Sequence, residues 1–268
     1  MIEHVRPGVS ARHAQVVLFD FDGTISLIRA GWVDVMVPMM VEILMDLKTG
    51  EREEDLRAIV TDFVGRLTGK QTMYQMVELA NQVELRGGKP LDPLLYKRMY
   101  LDLLHVRIAG RLEELRSGEA SPEKYLVPGA RRLLEALSER GLKLYLASGT
   151  DQPYMREEAD LLDVSRYFDG RVYGALDDYK SFSKKILIQR IIASAECEGP
   201  AFLGFGDGYV EIENVKEVGG VTVGVATDEP ECRVVDAWKR DRLVGVGADF
   251  IVPNFECHQE LMGALFPQ

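Results

Sequence analysis

Apolar and polar residues follow two different patterns along this chain. A short, fully apolar run at residues 16–19 predicts a buried strand. From about residue 28 to residue 116, apolar residues instead recur at helical spacing, which predicts amphipathic helices. Glycines and prolines divide this stretch into helices over residues 33–47, 51–67, 72–85 and 93–116. The strand is therefore followed by an inserted bundle of helices.

Beyond residue 122 the pattern changes to strands that alternate with helices. Strands are predicted at residues 142–147, 171–173, 201–205, 221–226 and 250–252. Helices are predicted at residues 129–140, 151–162, 183–196, 210–218, 231–240 and 255–265. This alternation predicts an α/β fold with a doubly wound parallel sheet. Residues 1–25 and 123–268 would form this core, and residues 26–122 the all-helical insertion.

Bulk composition restricts the class of protein. The 268 residues are 46% hydrophobic and 28% charged, which is typical of a soluble globular protein. The formal net charge of −11 opposes general binding to nucleic acid or to anionic membranes. No signal peptide is evident, and residues 33–47, the most apolar later segment, are too short and too polar to span a bilayer. We therefore expect a cytoplasmic protein that binds neither nucleic acid nor membrane.

The cysteines give no sign of a metal site or of a disulfide framework. The three residues, Cys197, Cys232 and Cys257, are widely spaced and form no CxxC pair. We expect reduced thiols.

Polar clusters stand where three predicted strands end. Asp20 and Asp22 follow the first strand, Ser148 follows the second, and Asp207 follows the strand at residues 201–205. In a parallel sheet these ends share one edge, and ligands bind beyond it. Two carboxylates on the same face of a strand tip also repel each other, so a nearby cation would stabilise them. The sequence therefore predicts one polar crevice at this edge.

The acidic pair suits phosphoryl transfer. Asp20 is the candidate nucleophile, because a carboxylate can attack phosphorus and form an aspartyl-phosphate. Asp22 is the candidate general acid for the leaving oxygen and, later, the base for the hydrolytic water. Gly23 breaks the strand, and Thr24 adds a hydroxyl that is a candidate for substrate contact.

Other residues are candidates for binding the phosphoryl group itself. Ser148 and the amides near Gly149 are placed to hold phosphate oxygens. A lysine is expected to neutralise these oxygens in the transition state. Lys184, at the start of a predicted helix, is preferred, with Lys180 and Lys185 as close competitors.

A second acidic pair points to a metal ion. Asp207 and Glu211 would join Asp20 and the backbone carbonyl of Asp22 in an all-oxygen site. Oxygen ligands of this kind suit Mg²⁺, a hard cation. Mg²⁺ is therefore the predicted cofactor.

These residues, in this order, resemble the four motifs of the haloacid dehalogenase superfamily. Residues 20–24 (Asp-Phe-Asp-Gly-Thr) are similar to the first motif, Ser148 to the second, a lysine near 184 to the third and residues 206–211 to the fourth. The resemblance implies a Rossmann-like core with an inserted helical cap of the C1 type. It also implies Mg²⁺-dependent phosphoryl transfer through an aspartyl-phosphate.

The chain departs from common patterns of that superfamily at three places. Residues 26–29 (Ser-Leu-Ile-Arg) replace an Asp-Ser that often follows the first motif. Glu211 stands where many members have Asp, and the lysine motif lacks the common Lys-Pro. These departures leave the class of reaction intact but weaken any transfer of substrate identity.

The resemblance also indicates the kind of reaction and substrate. Asp22 favours a phosphatase or a phosphomutase, because dehalogenases of the superfamily lack this acid and phosphonatases usually carry a small residue there. A helical cap that closes over the site implies a small phosphorylated metabolite as the substrate. Arg29, Trp32 and Lys70 are candidates for contact with it.

Two alternatives stay open. A sugar phosphomutase would use the same residues. A non-hydrolytic phosphoacceptor signalling protein would also place acids, a hydroxyl and a lysine on a parallel sheet, although the helical insertion and Asp22 do not suit it. A homodimer is one alternative for the oligomeric state.

Overall fold

A sheet in the described part of the chain forms the centre of the molecule. The computed structural model describes residues 2–175, 184–195 and 199–267. The strands span Glu3–His4 (β1), Val16–Phe19 (β2), Lys143–Asp151 (β3), Val172–Ala175 (β4), Phe202–Gly206 (β5), Val221–Val225 (β6) and Phe250–Val252 (β7). Their order across the sheet is β1-β7-β6-β5-β2-β3-β4. Every neighbouring pair is parallel except β1 and β7.

The predicted doubly wound α/β sheet is confirmed, with one edge strand that the sequence analysis missed. β1 pairs antiparallel with β7, with Glu3 opposite Ile251. A strand of 2 residues is too short to show the alternation of side chains by which strands are detected.

β2 is an interior strand that lies between β5 and β3, so the residues that follow it are flanked by the ends of these two strands. Val16 lies opposite Lys143 of β3 on one side and Phe202 of β5 on the other. All residues of β2 are buried, as expected of a parallel strand that is covered on both faces. The ring of Phe19 stacks on that of Phe205, with 4.6 Å between ring centroids.

The chain between β2 and β3 folds into helices. They are α1 (Val33–Met45), α2 (Glu53–Leu67), α3 (Thr72–Leu85) and α4 (Pro93–Ser117). These helices and their connecting segments are here called the helical insert. The long α4 has clear end signals: Asp92 accepts a hydrogen bond from the Leu94 N–H at 2.8 Å, and Gly118 ends it with a φ of 75°. The predicted helical insertion is confirmed.

Helices also alternate with the later strands. They are α5 (Ala130–Glu139), α6 (Gln152–Leu161), α7 (Lys184–Ala195), α8 (Tyr209–Glu217), α9 (Ala237–Gly245) and α10 (His258–Leu265). The predicted helix at 231–240 is wrong. Its first half is a loop, because the Asp228 carboxylate accepts hydrogen bonds from two backbone N–H groups further along the chain. Asp236 then caps α9 by accepting a hydrogen bond from the Lys239 N–H at 2.7 Å.

The helical insert is fastened to the segment that leads into it. Arg111 of α4 donates hydrogen bonds to the carbonyl oxygens of Ile28, at 2.6 Å, and Ala30, at 2.8 Å. This segment lies between the acidic turn after β2 and the start of α1, so the contact ties α4 to the chain that leaves the edge of the sheet.

Two expectations drawn from composition can be compared with the structure. Cys232 and Cys257 are free thiols in the described part of the chain, and Cys197 lies outside it. Within the described residues, no helix combines the length and the apolar character that crossing a bilayer requires.

Replacement of Phe205 by alanine tests the packing at the centre of the sheet. Its fully buried ring lies between Phe19 and Phe255, so its removal leaves a cavity. We expect the free energy of unfolding to fall by about 3–5 kcal/mol in urea denaturation. Leu85→Ala, at a residue that is 76% exposed, is the control and should change it by less than about 0.5 kcal/mol. An equally small change for Phe205→Ala would contradict this description of the core.

Candidate active site

Asp20 directly follows β2, and its side chain is held in place. The residue is only 4% exposed. Its backbone N–H donates to the Phe205 carbonyl oxygen at 2.9 Å, so the pairing with β5 continues up to the acid. Its Oδ1 accepts a hydrogen bond from the Phe21 N–H at 2.7 Å. The sheet edge therefore presents a restrained carboxylate beside the end of β5.

Asp22 is oriented by two hydroxyls from the end of β3. Its Oδ2 accepts hydrogen bonds from Ser148 Oγ at 3.1 Å and from Thr150 Oγ1 at 2.9 Å. Ser148 Oγ in turn accepts a hydrogen bond from the Thr150 N–H at 2.9 Å. The second carboxylate is thus fixed by hydroxyl donors, which makes its setting different from that of Asp20.

The turn after β2 is tied to the turn after β5. Thr24 is fully buried, and its Oγ1 accepts a hydrogen bond from the Asp207 N–H at 2.9 Å. Gly23 has a φ of 73°, and a Cβ added there would lie 2.4 Å from Asp207 Oδ2. The close approach and the left-handed backbone both require glycine at this position. Asp207 therefore lies directly beside the first acidic pair.

Asp207 forms an ion pair with a lysine that the sequence analysis did not identify. Lys239 of α9 places its Nζ 3.1 Å from Asp207 Oδ2 and 2.7 Å from Glu229 Oε1. Burial works against the lysine's charge, but the two carboxylates outweigh it and raise the pKa of Lys239 above its ordinary value. The buried edge therefore carries a fixed positive charge beside Asp207.

The residues predicted to bind a metal fit Mg²⁺ by their donor chemistry. Asp20 and Asp207 offer carboxylate oxygens at neighbouring strand ends, and Glu211 is fully buried in the first turn of α8. The Glu211 carboxylate folds back under the turn, since a Cβ added at Gly206 would lie 3.1 Å from its Oε2. These are hard oxygen donors. Among the described residues, however, no three acidic, histidine or cysteine side chains already form a metal cluster.

One pocket brings most of the predicted site residues together. Asp20, Asp22 and Asp207 line it from the sheet edge, together with Gly149. The other lining residues from the predicted set lie in or just before the helical insert: Arg29, Trp32 and Lys70. Apart from the predicted lysines, the remaining predicted residues are buried and are not among the residues that line the pocket: Thr24, Ser148 and Glu211.

Arg29 lines the pocket but its charge is already matched. Its Nη2 lies 2.6 Å from Glu158 Oε1, and its Nε donates to both oxygens of the same carboxylate at 3.1 Å. Burial opposes the charge, yet the Glu158 carboxylate holds the pKa of Arg29 above its ordinary value. Asp22 Oδ1 is 4.0 Å from Arg29 Nε. Arg29 is therefore a buried support for the acidic pair.

Of the three lysine candidates, Lys185 has a side chain within the described part of the structure. Lys185 forms an exposed ion pair with Glu217 at 3.2 Å and does not line the pocket. Lys184 begins α7, and its side chain lies outside the described part of the structure. Lys180 also lies outside the described residues.

Several pocket residues were missed for an identifiable reason. Lys97 of α4 reaches across to Asp151 at the end of β3, with 2.6 Å between Nζ and Oδ1, and both line the pocket. In the sequence, Lys97 looks like an ordinary helix-surface lysine, because only the tertiary fold turns that face towards the sheet. Asp151 follows Thr150 directly, so the polar run at this strand end was the available signal.

A known protein family matches most of this chain. A family model described as a haloacid dehalogenase-like hydrolase matches residues 14–219. Among curated proteins, no sequence matches the chain significantly.

Solved structures share the fold over nearly the whole chain. A predicted phosphoglycolate phosphatase from Haemophilus somnus 129PT has a TM-score of 0.58 at 13% identity, over 93% of this chain and 98% of that one. A HAD family hydrolase from Deinococcus radiodurans R1, with bound phosphate and sodium, has a TM-score of 0.53 at 14% identity, over 95% and 96%. CbbY from Rhodobacter sphaeroides, in complex with phosphate, has a TM-score of 0.54 at 16% identity, over 90% and 95%. At these identities the likeness is one of fold.

Replacement of Lys239 by methionine tests the fixed charge beside Asp207. Without it, two neighbouring carboxylates lose their shared counter-charge, so the free energy of unfolding in the presence of a chelator should fall by about 3 kcal/mol. Urea denaturation measures the change. Lys185→Met removes an exposed ion pair and should cost less than about 0.5 kcal/mol. Equal effects of the two variants would show that Lys239 is not held as described.

Proposed function

Because the chain belongs to the haloacid dehalogenase-like hydrolase family, we propose that it is a phosphatase acting on a small phosphorylated metabolite. The observation that carries the proposal is the pocket, which three aspartates line from two strand ends: Asp20, Asp22 and Asp207. One acid is buried and restrained, and the next is held by hydroxyls, so the two can divide the work of nucleophile and proton carrier.

In the proposed first step, Asp20 attacks the phosphorus of the substrate. A bond forms between a carboxylate oxygen and phosphorus while the bond from phosphorus to the leaving oxygen breaks. Asp22 donates its proton to that oxygen, and the dephosphorylated alcohol leaves. The hydroxyls of Ser148 and Thr150 support this role, because they hold the Asp22 carboxyl in one orientation.

In the proposed second step, water hydrolyses the aspartyl-phosphate. Asp22 accepts a proton from the water as its oxygen attacks phosphorus, and the bond from phosphorus to Asp20 breaks. Inorganic phosphate is released, Asp20 is again a carboxylate, and Asp22 is again protonated. The two residues thereby return to their starting states without any other reagent.

We propose that Mg²⁺ assists this chemistry. Asp20, Asp207 and Glu211 would hold it, together with the backbone carbonyl of Asp22. When bound, the cation would reduce the repulsion between the phosphoryl oxygens and the carboxylates. The oxygen-only donor set supports this choice of metal.

A lysine is proposed to complete the charge balance on the phosphoryl group. Lys184 remains the preferred residue, and Lys180 is the alternative. The ion pair of Lys185 with Glu217 argues against Lys185.

The helical insert is proposed to act as the cap that recognises the rest of the substrate. Trp32 offers an aromatic surface in the pocket, and Lys70 offers a charge whose ammonium lies 5.5 Å from the centroid of the Tyr74 ring. Arg29 is engaged by Glu158, so its proposed contribution is to shape the wall. These side chains suit a substrate with a polar or anionic group beyond its phosphate.

Replacement of Asp20 by asparagine tests the proposed nucleophile. The amide keeps the shape of the side chain but cannot form the acyl phosphate, so phosphate release should fall by about a thousandfold or more. The measurement is Mg²⁺-dependent release of phosphate from a panel of phosphorylated metabolites and p-nitrophenyl phosphate. Asp169→Asn, at an acid whose side chain is 84% exposed, is the matched control and should keep full activity.

Two results would count against the proposal. Retained activity in Asp20→Asn would exclude Asp20 as the nucleophile. Isomerised sugar phosphate without net release of phosphate by the unmodified protein would indicate a phosphomutase that uses the same residues.

A further inference from the structure

An arginine from the core, Arg242, binds the C-terminal end of α2 through hydrogen bonds. Arg242 of α9 donates hydrogen bonds to the carbonyl oxygens of Gly65, of Arg66 at 2.7 Å and of Thr68 at 3.0 Å. The last carbonyls of a helix lack partners within the helix and carry its negative dipole end. A guanidinium therefore suits this helix end, because its N–H groups bind the unpaired carbonyls and its positive charge faces the negative end of the dipole.

Two aromatic rings hold the guanidinium in position. The Arg242 Cζ atom lies 4.6 Å from the centroid of the Tyr209 ring and 5.2 Å from that of the Trp238 ring. Tyr209 begins α8, immediately after the turn that carries Asp207. Trp238 also packs on the insert, since a Cβ added at Gly65 would lie 3.3 Å from its ring. Arg242 thus contacts both the helical insert and the element that follows the acidic turn.

The segment that Arg242 holds leads directly into the pocket. Residues 68–71 follow α2 and are here called the pocket loop. The first three residues of this loop line the pocket. A Cβ added at Gly208 would lie 2.8 Å from the Gly69 Cα, and a Cβ at Gly149 would lie 3.2 Å from the Lys70 carbonyl oxygen. The pocket loop therefore makes backbone contact with the turn after β5 and with the end of β3, which requires accurate placement of the loop.

We propose that Arg242 is a positioning residue that holds the pocket loop against the turn after β5 and the end of β3. The loop is here called seated when it makes these contacts. Arg242 acts through the loop, because its contacts are with the end of α2 and with aromatic rings. Without it, the loop populates unseated conformations, and only the seated fraction binds substrate productively. The apparent KM then rises by the inverse of that fraction, while turnover at saturation is retained. This kinetic consequence rests on the proposed phosphatase function, whereas the seating itself does not.

Steady-state kinetics of Arg242→Met tests the consequence for substrate binding. With p-nitrophenyl phosphate and Mg²⁺, we expect KM to rise about tenfold and kcat to stay within about twofold. Arg242→Lys, which keeps the charge but loses the fork of donors, should give an intermediate KM. Arg240→Met is the matched control on the same helix, because Arg240 pairs with Glu3 and Asp241, and it should behave as the unmodified protein.

Limited proteolysis tests the seating independently of catalysis. Trypsin cleaves after arginine and lysine. Arg66 lies just before the pocket loop, and Lys70 lies within it. Cleavage at these two sites in the folded protein should be about tenfold faster in Arg242→Met, because it follows the fraction of open loop. Added inorganic phosphate with Mg²⁺ should slow it again. If the unmodified protein releases no phosphate from any substrate, the proposed function fails, and this measurement still decides the role of Arg242.

The outcomes that would overturn the proposal are specific. KM and cleavage at Arg66 and Lys70 that both match the unmodified protein would show that the loop seats without Arg242. Cleavage that accelerates over the whole chain would show a general loss of stability instead. If Arg242→Met does not fold, Gly69→Ala gives a second test: its φ of 92° disfavours alanine and the added methyl would lie 3.1 Å from the Gly208 Cα, so the loop is displaced while Arg242 is intact. An unchanged KM in that variant would also contradict the proposal.

Discussion

Concentration of negative charge at one edge of the sheet is the constraint on which the rest of this structure depends. Asp20 and Glu211 are buried and Asp207 is nearly so around the ends of β2 and β5, and Asp22 faces the end of β3 beside them. Carboxylates this close destabilise a fold unless each one is balanced. Two hydroxyls donate hydrogen bonds to Asp22, the Phe21 N–H donates one to Asp20, and the Lys239 ammonium pairs with Asp207. A divalent cation would add to this balance.

The same constraint explains why the helical insert is tied to the core at several points. The pocket needs a second wall, and the insert supplies it while keeping its cations close to the acidic edge. Lys97 reaches Asp151 across the pocket, and Arg111 holds the segment after β2. Arg242 makes the reverse contact, from the core to the end of α2. Each tie uses a positive side chain, which suits a site whose floor is acidic.

How much could be predicted from the sequence depended on whether the signal was local. β2 was predicted correctly because its apolar run is continuous. The acids Asp20 and Asp22 were identified because they come directly after this run in the sequence. The helix at 231–240 was misplaced because Asp228 and Asp236 decide between loop and helix through hydrogen bonds that no periodicity shows. Lys239 was missed for a related reason, since its partner Asp207 lies far from it in the chain. Pairings of this kind depend on the tertiary fold.

Detection of a phosphorylated Asp20 tests the central claim most directly. The protein would be mixed with substrate and Mg²⁺, quenched in acid during turnover, digested and examined by mass spectrometry. The proposed mechanism predicts a phosphoryl group on Asp20 that hydroxylamine removes, as expected of an acyl phosphate. A phosphoryl group on another residue, or phosphate release without any covalent intermediate, would contradict it.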